Sequence, residues 1–229
     1  IFNRLTGEPV YEIEERPVPQ GNLSGEYYSS TQPFPVKPPP FGRISFTMDD
    51  IATVTPEHEA ACRQLLMTYD GGRNRGPFTP PSLEGALVFP STGGGTEFTG
   101  GTFDPRLGYY IINYADTGHI STLRKVEDEP DRRGYAGPPE SRRLYWHIVD
   151  RLTVDGWPCW QPPWSRLVAV DVNTGEIAWQ IPFGTVDGLP AGMETGAPNS
   201  QKGGPTSTAG GVFFIGGATD RLFRAYETA

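Results

Sequence analysis

The chain has 229 residues, 36% of them hydrophobic and 12% aromatic, with 29 glycines, 24 prolines and a formal net charge of −8. That length suffices for one large domain core, or for about half of a larger closed architecture, and the Gly and Pro content with so little helical patterning favours an all-β chain. The acidic balance excludes a nucleic-acid surface of clustered Lys and Arg. No apolar run approaches the roughly 18 residues of a membrane span, and no charged-then-apolar leader opens the chain.

In chain order, Ile1 to Tyr11 reads as a hairpin with its turn at Asn3 to Gly7, where glycine supplies a positive φ. Pro17 to Phe41 is Pro-rich and reads as an extended loop that wraps a surface and stays out of any sheet, because proline lacks the ladder donor. A polyproline ligand is the sharper alternative. The chain's one helix is predicted from Thr55 as N-cap, with Pro56 in the first turn and Gly71-Gly72 past its end; it spans residues 55–69 as an insertion on the sheets. His58 is expected to be an exposed polar residue of its first turn, with metal ligation as the alternative.

Ala86 to Pro90 reads as a short strand, followed by the glycine-rich run Ser91 to Gly101. A phosphate loop would lead into a helix, whereas the strand Tyr109 to Ile112 follows here, so these glycines are expected to admit a planar ligand or a neighbouring backbone. Residues 124–143 mix both charge signs with Gly and Pro and read as a mobile, solvated loop. Tyr145 to Val149 reads as a strand, and Gly156 to Trp164 as an aromatic-rich connection that packs between sheets. Cys62 and Cys159 lie far apart and match no metal spacing; they read as two unpaired small side chains, with a long-range disulfide as the alternative.

Leu167 to Trp179 is the most informative stretch: a strand, a turn at Asn173-Thr174-Gly175, then a strand closed by tryptophan. Its pattern Ala-x-Asp-x-x-Thr-Gly-x-x-x-Trp recurs in part at Ile1 to Tyr11, with Asn3 for Asp and Tyr11 for Trp, and its first half recurs at Ala225 to Ala229. Ala225 follows Ala169 by 56 residues, and Ala169 follows Ile1 by 168, three times that. A period of this size suits a propeller blade of four short strands. The glycine-rich run Thr195 to Gly211, the strand Val212 to Gly216 and the segment Leu222 to Tyr226 read as the start of another blade.

With the motif at Ala169 to Trp179 stand Pro162-Pro163-Trp164, Gly76-Pro77-Phe78-Thr79-Pro80-Pro81-Ser82, Gly196-Ala197-Pro198-Asn199, Gly203-Gly204-Pro205 and Thr208-Ala209-Gly210-Gly211. This ordered set resembles the pyrroloquinoline quinone (PQQ)-dependent dehydrogenases, in particular their membrane-type glucose dehydrogenase branch. The resemblance implies an all-β fold: a partial β-propeller of about four blades from an eight-bladed quinoprotein, residues 1–229 forming one domain cut inside a blade repeat at both ends. It implies oxidation of a sugar or alcohol hydroxyl by hydride transfer to the quinone, with Ca²⁺ beside the cofactor, a quinone or cytochrome as electron acceptor, and a periplasmic or membrane-associated setting. The catalytic acid and the metal ligands are expected upstream of Ile1, so the chain alone is expected to be inactive, with PQQ binding by this chain alone left open, and to pair with the remaining blades or with itself through its cut edges.

By motif position, two loops are expected to approach the quinone: Thr92, Gly94, Glu97 and Phe98 in the first, and Asn199, Lys202, Gly203 and Gly204 in the second. Relatives place Asn or Trp where this chain has Thr92 and Phe98, Ser200-Gln201-Lys202 resembles an insertion, and the vicinal cysteine pair of the alcohol-oxidising branch is missing. Lys202 is either a partner for a cofactor carboxylate or part of a solvated insertion. The alternative function is a propeller scaffold or binding module resembling the outer-membrane assembly lipoproteins that share the tryptophan motif.

Overall fold

The computed structural model describes residues 1–69, 74–128 and 144–229. Its elements in chain order are β1 (Ile13–Pro17), β2 (Thr31–Pro35), α1 (Pro56–Met67), β3 (Ala86–Val88), β4 (Thr102–Asp104), β5 (Tyr109–Ala115), β6 (His119–Lys125), β7 (Tyr145–Arg151), β8 (Thr153–Val154), β9 (Trp157–Pro158), β10 (Ser165–Asp171), β11 (Glu176–Pro182), β12 (Thr206–Ser207), β13 (Val212–Ile215) and β14 (Arg224–Glu227). The predicted glycine stop at Gly71-Gly72 and most of the predicted 124–143 loop lie outside the described residues.

Two sheets have the layout of propeller blades. β4, β5, β10 and β11 form a four-stranded antiparallel sheet, and β12, β13 and β14 a three-stranded one. β10 pairs with β5 from Ser165↔Ala115 to Asp171↔Tyr109 and is buried along nearly its whole length, because the sheet is covered on both faces. Leu167 and Ala169 pack with Ile111, Phe213 and Ile215 toward the three-stranded sheet, while Val168 and Val170 pack with Ile112 and Tyr114 on the other side. This is the period-2 alternation of a strand between two layers. The chain is a partial propeller.

One turn is used three times. The N–H groups of Gly7, Gly108 and Gly175 donate to the carbonyls of Asn3, Asp104 and Asp171 at 2.8, 2.9 and 2.8 Å. In each, the Asn or Asp side chain accepts a 2.9 Å hydrogen bond from the backbone N–H two residues on, at Leu5, Arg106 and Asn173. All three glycines have φ between 71° and 76°, the left-handed region that glycine enters without a Cβ penalty. The Asp104 copy escapes the sequence pattern because Thr102, Leu107 and Ile112 stand where the pattern has Ala, Thr and Trp.

The aromatic that closes the motif reaches into the next unit. Trp179 stacks on Phe213 (centroids 6.1 Å, planes 16° apart) and its Nε1–H donates to the Thr228 carbonyl at 3.2 Å. Tyr11, at the tryptophan position of the first copy, donates from its hydroxyl to the Val172 carbonyl at 2.6 Å. Val172 and Thr228 both follow the acidic residue of their motif, at Asp171 and Glu227, so these are the same bond between successive units. The first and second copies are therefore neighbours in space. The interval of 168 residues therefore holds more than blade strands: the β1–β2 hairpin, α1, β3 and the long excursion between β5 and β10 all lie within it, and its divisibility by 56 does not count blades.

Three expectations are corrected. Thr31–Pro35 does enter a sheet, pairing with Ile13–Pro17. It can do so because Val36 N–H bonds inward to the Glu12 carbonyl, which puts Gln32 and Phe34 on the bonded side and turns Pro33 and Pro35, whose N–H is missing, to the outer edge. His58 is buried, 4% exposed, because it shares one helix face with Cys62 and Leu66, four and eight residues on, and meets the Trp157 ring at 5.7 Å. Cys62 and Cys159 form a disulfide (Sγ–Sγ 2.04 Å), since α1 packs that face against Leu152, Cys159 and Trp160. Thr55 caps the helix as expected, its Oγ1 accepting from His58 N–H at 3.2 Å.

Candidate functional site

The excursion between β5 and β10, residues 116–164, is anchored at both ends. Asp116, 2% exposed, accepts from Arg43 N–H at 3.2 Å and Arg43 Nη1 at 2.9 Å, and Arg166 Nη2 lies 3.6 Å away. Burial pushes this carboxyl upward against the pull of the two guanidinium groups. The Trp160 indole donates to the Asp116 carbonyl at 2.9 Å, and Asp116 N–H to the Trp164 carbonyl at 2.9 Å. From this anchor the chain runs through Thr117 and Gly118 into β6, which sits between β3 and β7 with Val88↔His119 and His119↔Arg151 in register.

Two glycine-rich loops are stitched to the same region. In the first, Ser91 N–H donates to the Thr117 carbonyl at 2.8 Å, the Ser91 and Thr117 hydroxyls meet at 2.8 Å, and Ala115 N–H reaches the Gly95 carbonyl at 2.7 Å. Gly95 permits this approach, since a Cβ there would lie 1.8 Å from the Tyr114 ring. In the second, Ala197 N–H donates to the Phe183 carbonyl at 2.8 Å and Asn113 Nδ2 to the Ser200 carbonyl at 2.8 Å. Asn199 adopts φ 58° there, a conformation Asn tolerates better than most residues.

Loops and excursion enclose a cavity of about 480 Å³. Of the residues predicted from motif position, Thr92, Glu97, Asn199 and Lys202 line it, although the two loops are a hundred residues apart. Gly94 is not among the lining residues; it accepts from the Thr117 hydroxyl at 3.3 Å. Phe98 is 93% exposed and does not line the cavity. Gly203 and Gly204 also stand outside it: their missing Cβ atoms let the second loop pass within contact of the Gly216 and Thr99 carbonyls.

Sequence reasoning missed the wall supplied by the excursion. His119 from the excursion and Gln201 from the second loop line the cavity at 4% and 5% exposure; among the described residues, both imidazole nitrogens of His119 and Oε1 of Gln201 have no hydrogen-bond partner. Burial, and then the neighbouring His147, lower the His119 pKa, so the ring is neutral at neutral pH. Arg151 and Lys202 bring positive charge, Asp150 and Glu97 negative charge, and Leu152, Pro158 and Trp160 an apolar wall. No local signal marked His119, whose environment is assembled by strand pairing across residues far apart in sequence.

The family model for the "PQQ: Glucose/ethanol/alcohol dehydrogenase, beta-propeller domain" matches residues 1–229. The chain belongs to this family. Among curated relatives of this PQQ propeller, it is 30% identical over 245 residues to the quinate/shikimate dehydrogenase (quinone) of Acinetobacter baylyi, covering 100% of this chain and 30% of that protein. It is 32% identical over 254 residues to the quinoprotein glucose dehydrogenase of Escherichia coli, covering 99% and 30%. It is 31% identical over 256 residues to the glycerol dehydrogenase large subunit of Gluconobacter thailandicus, covering 99% and 34%. The chain thus spans about a third of the length of these relatives.

The cavity's donor set suits a flat anionic quinone: Lys202 and Arg151 can meet carboxylates, Thr92 and Asn199 can donate hydrogen bonds, and Trp160 and Pro158 offer an apolar face. Calcium is not matched in the same way. Among the described residues, the group of three candidate ligands is His58, Cys62 and Cys159. It presents nitrogen and sulfur where calcium takes oxygen, and both sulfurs are in the disulfide.

Proposed function

We propose that this chain is one part of a PQQ-dependent dehydrogenase that oxidises a sugar or alcohol hydroxyl, and that its cavity forms one side of the cofactor and substrate chamber. The observation that carries this reading is the convergence of Thr92, Glu97, Asn199 and Lys202 from two distant loops on one cavity, in a chain matched to the PQQ family along its whole length. When bound, PQQ accepts the hydride, which is chemistry side chains do not supply. This chain's residues bind and orient: Lys202 and Arg151 attract carboxylates, Thr92 and Asn199 fix their direction, and Leu152, Pro158 and Trp160 keep water from the reacting face. The acid that takes the hydroxyl proton, and the ligands for Ca²⁺, belong to other parts of the full protein, whose remaining blades complete the chamber. A quinone or cytochrome takes up the electrons, at the membrane or in the periplasm.

The test compares two proteins, the full-length enzyme and the 229-residue chain, each given PQQ and Ca²⁺ and assayed by dye reduction with glucose, glycerol, quinate and ethanol. Turnover is expected only in the full-length protein, and Lys202→Ala there should weaken PQQ binding by roughly tenfold through the lost charge-assisted contact. No turnover by the full-length protein on any of the four substrates refutes the dehydrogenase reading. Turnover by the short chain refutes its dependence on the other blades.

A further inference from the structure

We infer that His119 and Gln201 together read hydroxyl groups of the substrate, and so select a polyhydroxylated substrate over a monohydric alcohol. This rests on the dehydrogenase reading above and adds the residues that set its substrate class.

The inference follows from what the cavity leaves unpaired. Both side chains are at least nine-tenths buried and line the same cavity, and none of His119 Nδ1, His119 Nε2 and Gln201 Oε1 has a partner among the described residues. A buried polar atom without a hydrogen bond is costly, and sites that keep such atoms satisfy them with water or a ligand. A neutral imidazole offers one N–H donor and one acceptor lone pair, and Gln201 Oε1 is an acceptor. The ligand must therefore present donors as well as acceptors. PQQ presents carboxylates and quinone carbonyls, which the exposed cations Lys202 and Arg151 already suit, and a single pyrrole N–H, one donor that cannot serve both the His119 lone pair and Gln201 Oε1. A hydroxyl donates one hydrogen bond and accepts others. Two or more hydroxyls on one molecule fill the donor and acceptor positions of His119 and Gln201 together, which a single alcohol group cannot do.

His119 is also held firmly enough to discriminate. It occupies the central strand of a three-stranded sheet, paired to Val88 on one side and Arg151 on the other. Gly118 just before it lies against the Phe89 ring so closely that a Cβ would sit 2.1 Å from it. The Gln201 backbone is tied to the first loop, its carbonyl accepting from the Thr99 hydroxyl at 3.4 Å.

The test uses the full-length enzyme with His119→Phe, Gln201→Leu and His119→Gln, each checked for an unchanged melting transition. In His119→Phe and Gln201→Leu, KM for glycerol and glucose should rise by roughly ten- to a hundredfold with kcat less affected, and the preference for glycerol over 1-propanol in kcat/KM should fall by a similar factor, because the groups removed are those assigned to the additional hydroxyls. His119→Gln keeps a donor and an acceptor and should restore much of the loss. The second readout is independent of turnover: in cofactor-free protein, glycerol or glucose should shift the His119 imidazole resonances in the wild type, and their binding should weaken in Gln201→Leu. If the wild type turns over no substrate yet shows that shift, the dehydrogenase reading fails and the hydroxyl-reading pair stands. If KM and polyol binding do not change, the pair is satisfied by water alone and the inference is overturned. A weakened PQQ affinity at unchanged polyol KM overturns it too, by giving these side chains to the cofactor.

Discussion

Removing the Cys62–Cys159 disulfide should cost this protein about 4–5 kcal/mol of stability. The bond links α1 to the segment after β9 across 97 residues of sequence; in the chain-entropy account, releasing a closed loop of that length returns about 4.7 kcal/mol of freedom to the unfolded state at 25 °C. Nothing in the native packing offsets this, since both cysteines are fully buried beside Leu66, Leu152 and Trp160. Reduction of the wild type isolates the loop term. Cys62→Ala/Cys159→Ala adds about 1 kcal/mol for the two sulfur atoms lost from a packed interior. The assay is urea unfolding followed by tryptophan fluorescence, with and without dithiothreitol, with thiol titration confirming the redox state. For a slope of about 3 kcal/mol per molar urea, the midpoint should fall by about 1.5 M on reduction. A fall of less than about 0.3 M would refute the reasoning, because it would mean that α1 and the β8–β9 segment stay associated in the unfolded ensemble without the bond.

Two further substitutions probe the elements that shape the cavity and the edge of the last blade. Gly95→Ala places a methyl within 1.8 Å of the buried Tyr114 ring and should cost about 1–3 kcal/mol by overpacking, measured by thermal unfolding; Tyr114→Leu in the same chain should recover part of that cost, and strictly additive losses would refute the contact as its source. Asp220, its side chain 8% exposed, accepts from Thr185 N–H at 2.8 Å, Leu222 N–H at 3.1 Å and the Arg224 guanidinium, and Arg224 holds its pKa well below the usual carboxylate range. A depressed folded pKa means that the unfolded chain takes up the proton first, so the contribution is complete above the unfolded pKa of about 3.9 and is lost as pH falls toward the folded value. Asp220→Asn should lower stability at pH 7 by about 2–4 kcal/mol and flatten the pH dependence of unfolding between about pH 4 and pH 2; an unchanged acid slope would count against it.

What the sequence disclosed follows the range of the forces involved. The Ala169–Trp179 hairpin was legible because its turn is built from residues two to four apart: Asp171 bonds its own loop and Gly175 takes the positive φ. The cap of α1 was legible for the same reason, through Thr55 and the N–H of His58. The disulfide, the burial of His58 and the sheet pairing of Pro33 and Pro35 were not, because each is decided by a partner that local pattern does not name. The candidate site divides along the same line. Thr92, Glu97, Asn199 and Lys202 came from motif position, whereas His119, Arg151 and the Leu152–Trp160 wall needed the strand register.

The tryptophan motif also shows why an even spacing misled. Its aromatic side chain serves the join between one unit and the next, as Trp179 meets the Thr228 carbonyl and Tyr11 the Val172 carbonyl. That bond specifies neighbours in space and is indifferent to how much chain lies between them, provided the excursion leaves and returns at adjacent strands. Ala115 and Ser165 meet that condition, paired directly across β5 and β10, so residues 116–164 can be inserted without disturbing the join. Those residues supply most of the cavity wall. The repeat therefore builds the frame, and the stretch that breaks the repeat builds the chamber: substitutions at its cavity-lining positions such as His119 and Arg151 should alter ligand selectivity, while substitutions at Tyr11, Gly175 or Trp179 should alter stability and the association of blades.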